Sequence, residues 1–319
     1  MRSTTNWGII GPGKIAHAFA KGLSVIDDAQ LKAVASTNLE RAQSFAKEFN
    51  VSQAYGNYDE MLSCEDIDVV YISTINTLHE DCIMKAFSYG KPVLCEKPLG
   101  TDPGMDEFLF AEAKKANLFL MEAYWTTFLP SYCKAKNWLE AGYIGTLRQI
   151  DTSFNYMADP ANERLFKKEL GGGCYYDVGI YTIGMVCDFF GMEPRKMVTN
   201  TYFSSDGIDV SSSAILDFGF AQSAVMRIGF YCEHASDTVL WGTEGHIILP
   251  SFWNGTEARL YRGNRLVETF TCLHKGSGYE YEALEVMHCL AAGNKTSSIM
   301  PPERTLRIAR LVEQGRTQC

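Results

Sequence analysis

The stretch from Asn6 to Ala16 limits the fold more than any other. Asn6-Trp7-Gly8-Ile9-Ile10 is short and apolar, as a buried strand is. It runs into Gly11-Pro12-Gly13-Lys14-Ile15-Ala16, and a helical pattern follows through Ala18, Phe19 and Leu23. A strand that turns through two glycines straight into a helix commits the chain to a βα unit. In this G-x-G-x-x-A order Gly11 permits the tight turn and Gly13 lets the backbone approach a pyrophosphate. Ala16 lets helix and strand pack closely, and the helix start adds amide donors and positive potential. Such a pattern is weak by itself, since an ordinary glycine turn reads the same way.

The alternation continues. Gln30 to Ser36 reads as a second strand and Leu39 to Phe49 as its helix. Asp68 to Ser73 is the next strand, with a helix from Leu78 to Tyr89. Val93 to Glu96 follows, then a helix from Pro103 to Ala116 and a strand from Leu118 to Met121. That order predicts a parallel, doubly wound sheet over residues 1–121. Beyond it the texture changes. Helices are expected at Trp125 to Glu140, Tyr175 to Phe190, Tyr279 to Ala291 and Pro302 to Glu313. A strand is expected at Gly145 to Phe154, and a run of strands with short turns from Lys196 to Phe270. Residues 122–319 are therefore expected to form an α+β domain with a large, mostly antiparallel open sheet.

The charge that matters most sits in Val93-Leu94-Cys95-Glu96-Lys97-Pro98. A buried strand has no packing use for an ammonium group, so Lys97 should lie just beyond the strand's carboxyl end. In an open α/β sheet that edge is where ligands bind. A second constellation is Gly171-Gly172-Gly173-Cys174-Tyr175-Tyr176-Asp177-Val178-Gly179-Ile180-Tyr181. Three glycines let a helix start approach another surface, and Asp177 and Tyr181, four residues apart, share one helix face. Taken singly, Lys97 reads as a loop lysine and Tyr181 as a core aromatic.

Composition excludes some functions. The net charge of −9 and the lack of a basic stripe give no general attraction to nucleic acid or anionic membrane. The apolar stretches are too short to span a bilayer, and the first residues show no signal-peptide pattern. Ten scattered cysteines, without a C-x-x-C pair, suggest a reduced, cytoplasmic protein. Cys232-Glu233-His234 has no further ligand at a recognisable spacing, so no metal is expected.

Together, Gly11-x-Gly13-x-x-Ala16, Glu96-Lys97-Pro98 and Gly172-Gly173-x-x-x-Asp177-x-Gly179-x-Tyr181 resemble the Gfo/Idh/MocA oxidoreductases in order and spacing. Met121-Glu122-Ala123-Tyr124-Trp125 resembles the branch of dimeric dihydrodiol dehydrogenases and NADP-dependent xylose dehydrogenases. The resemblance covers essentially the whole chain. It implies a Rossmann domain followed by an α/β domain, with bound NAD(P) and its nicotinamide at the domain junction. It also implies that Lys97, Asp177 and Tyr181 surround the substrate carbon. An unperturbed tyrosine, with a pKa of about 10, is a poor base at neutral pH. A nearby ammonium favours the phenolate and stabilises negative charge on a substrate oxygen. The expected roles are Tyr181 as acid/base, Lys97 as its electrostatic partner and Asp177 as orienter.

The same resemblance places Pro12, Lys14, Ile15, Thr74, Asn76, His79 and Glu96 beside the cofactor. Ser73-Thr74-Ile75-Asn76-Thr77-Leu78-His79 departs from the family pattern at Ile75, where proline is usual. No acid stands at the end of the second strand, where NAD enzymes bind the ribose 2′-hydroxyl. Ser36 and Thr37 are neutral, and Arg41 lies one helical turn on, able to pair with a 2′-phosphate. NADP(H) is the expected cofactor, with NAD(H) possible. Trp125 and Phe154 match aromatic positions near substrate, and a small cyclic polyol, sugar or dihydrodiol is the expected substrate class. The family's open sheet implies a homodimer, or a tetramer. Ile215, Phe218, Val225, Met226 and Ile228 are candidates for the exposed apolar face. A dinucleotide-binding regulator of the same fold is the alternative, and the Lys97, Asp177 and Tyr181 set speaks against it.

Overall fold

The computed structural model describes residues 4–317. The chain divides into two compact units. One holds Met1–Trp125 with His274–Leu306, the other Thr126–Leu273 with Arg307–Cys319. Residues 274–306 thus return to the first unit, a feature that a single division after residue 121 does not carry.

The first unit opens with β1 (Thr5–Ile10), α1 (Lys14–Leu23), β2 (Ala29–Ala35) and α2 (Leu39–Phe49). A short β3 (Gln53–Tyr55) and α3 (Tyr58–Leu62) come next, and neither is evident in the sequence pattern. Then follow β4 (Val69–Ile72), α4 (His79–Ser88), β5 (Val93–Glu96), α5 (Pro103–Ala116) and β6 (Leu120–Ala123). The six strands are all parallel, in the order β3-β2-β1-β4-β5-β6. β4, β5 and β6 are buried along their whole length, as the continuous apolar runs require when helices cover both faces. The helices carry ordinary stop and start signals. Asp102 caps α5 by accepting from the Met105 amide, with Pro103 at the first position, and Asn117 ends it with φ of 55°.

The second unit contains α6 (Pro130–Glu140), β7 (Leu147–Asn155), α7 (Glu163–Phe166) and α8 (Ile180–Phe190). Seven strands follow: β8 (Lys196–Phe203), β9 (Asp209–Gly219), β10 (Gln222–Gly229), β11 (Thr238–Gly242), β12 (Gly245–Leu249), β13 (Glu257–Arg262) and β14 (Arg265–Thr271). With β7 they form an eight-stranded sheet, ordered β14-β13-β12-β11-β7-β10-β9-β8. Every pair is antiparallel except β7 with β10. Burial alternates along β9 and β10, so one face is covered and the other is open. Ile215 and Val225 lie on the open face. Phe218, Met226 and Ile228 do not: the period of two turns them into the core. The chain closes with α9 (Glu280–Ala291) and α10 (Pro302–Thr317).

Candidate active site

In the first unit the glycine loop lies where the strand order reverses, at the carboxyl ends of β1, β2 and β4. Gly11 has φ of +88°, and a Cβ there would come within 3.0 Å of the Ser73 carbonyl oxygen and Thr74 Cγ2. Its amide donates to the Ala35 carbonyl at 3.0 Å, and its carbonyl accepts from the Gly13 amide and the Ser73 hydroxyl. The turn is thereby tied to both neighbours of β1. Gly13 caps α1 without a side-chain hydrogen bond, and no acid stands in the first turn. A Cβ on Gly13 would meet nothing closer than 3.9 Å, so the space above the loop is open. Exposed Lys14 and Ile15 begin the helix, and Pro12 and Ala16 are buried beneath it. Helix amides without a competing carboxylate fit an anionic pyrophosphate.

Ser36 follows β2 and is buried, and its hydroxyl accepts from the Asn38 amide at 3.2 Å. Asn38 caps α2 by accepting from the Arg41 amide. Thr37 and Arg41 are exposed beside it, with no acid before Glu40. These residues fit a phosphate better than they fit a ribose hydroxyl that needs a carboxylate acceptor.

Thr74 begins the connection from β4 to α4. Ile75 has φ of −71° and ψ of 151°, the backbone a proline would impose, so the departure at this position leaves the loop's shape intact. Asn76 is buried and opens a 3₁₀ turn. His79 is wholly buried. Its Nδ1 lies 2.9 Å from the Pro98 carbonyl and 3.2 Å from that of Leu99, and Nε2 lies 3.4 Å from the Thr74 carbonyl. Burial lowers its pKa, so the ring is neutral and joins the loop after β4 to the loop after β5.

Lys97 is the first residue beyond β5 and is partly exposed. Buried Glu96 accepts from the Tyr71 hydroxyl at 2.5 Å and from the Lys97 amide at 3.2 Å. On β6, Glu122 accepts from the Leu99 amide at 3.0 Å. The turn that carries Lys97 is therefore held at an amide and a carbonyl on its far side and at an amide on its near side. Trp125 stacks on Tyr279 at 4.4 Å in this same unit, over Gly278, where a Cβ would stand 2.6 Å from the indole.

In the second unit the glycine triplet does what its spacing suggests. Gly173 has φ of +128°, and a Cβ there would fall 2.3 Å from Asp209 Oδ1. The helix start consequently settles on Asp209, whose carboxylate accepts from the Tyr175 amide at 2.8 Å and from Arg316 Nε at 3.1 Å. Tyr175–Gly179 is a π turn, not the first turn of an α-helix as the pattern suggests, and α8 begins after it. Asp177 Oδ1 pairs with Arg164 at 2.8 Å, and Oδ2 accepts from the Tyr156 hydroxyl at 2.7 Å. Burial and the Asp177 charge hold the Tyr156 hydroxyl protonated. The buried Tyr181 ring tilts against Phe154 at 5.8 Å, and Phe154 stacks on Trp253 at 5.0 Å. Arg164, Tyr156 and Trp253 are absent from the sequence reading. The one signal for Trp253 is a large aromatic set directly before the turn residues Asn254-Gly255.

The structure thus lines Gly11, Gly13, Ser36, Thr74, Asn76 and Lys97 along one sheet edge, and gathers Phe154, Asp177 and Tyr181 in the other unit. Among the described residues no group of three or more His, Cys, Asp or Glu is arranged to hold a metal.

The model of the Gfo/Idh/MocA oxidoreductase family's NAD-binding Rossmann domain matches residues 5–124, and that of its C-terminal domain matches residues 132–248. The chain belongs to the Gfo/Idh/MocA family. It is an oxidoreductase with a NAD(P)-binding fold. Trans-1,2-dihydrobenzene-1,2-diol dehydrogenase of Xenopus laevis is 34% identical over 98% of each chain. The scyllo-inositol 2-dehydrogenase (NADP(+)) IolU of Bacillus subtilis is 31% identical over 98% of this chain and 96% of its own. Among solved family structures, KijD10, a 3-ketoreductase from Actinomadura kijaniata in complex with NADP and TDP-benzene, superposes with a TM-score of 0.88. It is 25% identical, over 98% of this chain and 97% of that one. No helix among the described residues is long and apolar enough to cross a membrane.

Proposed function

We propose that this family member moves a hydride between NADP(H) and a carbon–oxygen centre of a small cyclic polyol, aldose or dihydrodiol. The observation that carries the proposal is full-length similarity to enzymes named for a cyclic dihydrodiol and for scyllo-inositol, at 34% and 31% identity. The neutral end of β2 with Arg41 beyond it supports NADP over NAD.

Gly11 and Gly13 with the α1 amides hold the pyrophosphate, and Thr74, Asn76 and Glu96 shape the wall that receives the nicotinamide ribose. Lys14 and Ile15 open the helix beside it, with Pro12 beneath, and His79 fixes the loops from behind. Bound NADP supplies the hydride acceptor. For oxidation, the substrate's C–H leaves as hydride and its hydroxyl proton passes to the Tyr181 oxygen as the carbonyl forms. Lys97 supplies the positive charge that favours the phenolate and the developing oxyanion. Asp177, with Arg164 and Tyr156 on its two oxygens, orients substrate hydroxyls and not the proton transfer itself. Trp125 and Phe154 offer flat apolar surfaces to a ring's hydrophobic face.

The test is a panel of aldoses, inositols and trans-dihydrodiols scanned for NADP reduction. One or more compounds should be turned over, and Lys97→Met should reduce kcat on them by at least about a hundredfold. Silence across the panel rejects the substrate class. Near-normal turnover by Lys97→Met rejects the site.

A further inference from the structure

We infer that Arg164 is the positioning residue of Asp177 and sets a preference for uncharged substrates: from α7 its guanidinium holds and balances the carboxylate that meets the substrate's hydroxyls. The inference rests on the proposed part of Asp177 in substrate binding.

Arg164 Nη2 donates to Asp177 Oδ1 at 2.8 Å, while the Tyr156 hydroxyl donates to Oδ2 at 2.7 Å. The two donors come from separate segments, and both are fastened near the turn that carries Asp177. The Gly172 amide donates to the Lys167 carbonyl at 3.0 Å, and the Gly173 amide to the Leu165 carbonyl at 3.1 Å, so α7 is tied to the glycine triplet. A Cβ on Gly172 would stand 2.7 Å from the Leu165 carbonyl oxygen; glycine is what lets this helix come so near. The Phe166 and Tyr156 rings both meet the buried Phe230 ring edge-on at 5.6 Å. Arg164 therefore reaches Asp177 from a fixed base.

The pair does not serve stability. The Arg164 side chain is 40% exposed, and an ion pair at such a place adds little to folding. The Asp177 side chain is only 14% exposed, and its Tyr156 partner adjoins Phe154, the ring on which Tyr181 tilts. A carboxylate beside that aromatic wall accepts strong hydrogen bonds from a ring's hydroxyls. With the guanidinium on it, the pair carries no net charge. Neighbouring charges are matched in the same way: Lys167 pairs with Glu163 at 2.6 Å along α7, and Arg316 with Asp209 at 3.1 Å at the glycine triplet. A neutral polyol finds an oriented acceptor there. A polyol acid finds the cation already engaged and a carboxylate next to it, which repels its own.

Binding is read without turnover, on the full-length protein loaded with NADPH, which cannot accept a hydride. Calorimetric titrations use scyllo-inositol, trans-cyclohexane-1,2-diol and the cyclic polyol acid quinate. The unaltered chain is expected to bind one or both neutral compounds, and quinate at least about tenfold more weakly. Arg164→Gln should weaken the neutral compounds about tenfold, with little change in melting temperature. Arg164→Lys keeps the cation and should return binding to within about threefold of the unaltered chain. Arg164→Met keeps the bulk of the stem and is expected to behave as Gln, should Gln not fold. Unchanged binding in the folded Gln or Met variant overturns the inference. So does an equal loss in Lys, a preference for quinate, or no binding of either neutral compound to the unaltered chain. Silence of the turnover panel with this binding pattern intact rejects the reaction and leaves the inference standing; turnover with unchanged binding in Arg164→Gln does the reverse.

Discussion

Glu282 is wholly buried on α9, and neither carboxylate oxygen has a hydrogen-bond partner. Burial and the charge of Glu96 raise its pKa well above the carboxylate range. The sign follows. The unfolded chain releases this proton above about pH 4.3, while the folded chain keeps it, so stability is full below that pH and falls as pH rises. The loss is about 1.4 kcal/mol per pH unit over the window in which only the folded state holds the proton. Glu282→Gln keeps the shape without the titration. Its melting temperature should exceed that of the unaltered chain at pH 8 by several degrees and converge with it near pH 5; parallel melting curves at both pH values would count against the assignment. Arg41 is exposed, so its contribution should be confined to the ligand. Arg41→Ala is expected to weaken NADPH about tenfold in fluorescence titration and to leave NADH unchanged. Equal weakening of both would remove the 2′-phosphate from its role. Lys97 is legible in the sequence because a charge ends an apolar run. Glu122 and Glu282 are not. A lone glutamate in Leu-Met-Glu-Ala or in Tyr-Glu-Tyr-Glu reads as an exposed acid, and only the packing of β6 and α9 buries them.

At the scale of elements, the turn before α8 matters most. A run of glycines followed by apolar residues reads as a helix start, but nothing in the pattern separates a π turn from an α turn. A distant acid braces this turn: buried Asp209 accepts from the Tyr175 amide and the Arg316 guanidinium. Arg316 also lies 3.8 Å over the Tyr176 ring. Asp209→Ala leaves a buried amide unpaired and takes from Arg316 its shorter carboxylate contact, with Glu313 remaining at 3.5 Å, which costs about 2–3 kcal/mol. Urea denaturation should show that loss, with kcat reduced as well since Asp177 and Tyr181 ride on the turn. A cost under about 1 kcal/mol would mean the turn holds its shape without Asp209. Elsewhere the elements are read well. α2 and α5 fall on their expected residues because polar side chains cap their starts. The parallel pairing of β7 with β10 is hidden, since those strands are far apart in sequence and the local turns report only antiparallel neighbours.

At the scale of the molecule, the open face of the larger sheet is the surface with an unmet demand. Val198, Ile215 and Val225 stand side by side across three strands, and all three are exposed. We propose this face as the dimer contact. Light scattering at micromolar concentration should give twice the chain mass, and Ile215→Glu with Val225→Glu should give the monomer. A monomeric unaltered chain would set the proposal aside. Among the apolar residues of that sheet, the period of two decides which three of the five candidates are core, a distinction visible only once strand ends are fixed.

The first unit also has a consequence for the order in which the chain comes into being. Its six-stranded sheet is spelled out by residue 123, but α9 packs on α1, Ser277 donates to the Ala18 carbonyl, and the Leu120 amide donates to the Lys295 carbonyl. A ribosome must therefore have passed residue 295 before this unit can close. Until then Trp125 lacks the Tyr279 ring it stacks on, and one flank of the nascent sheet stands open to chaperones.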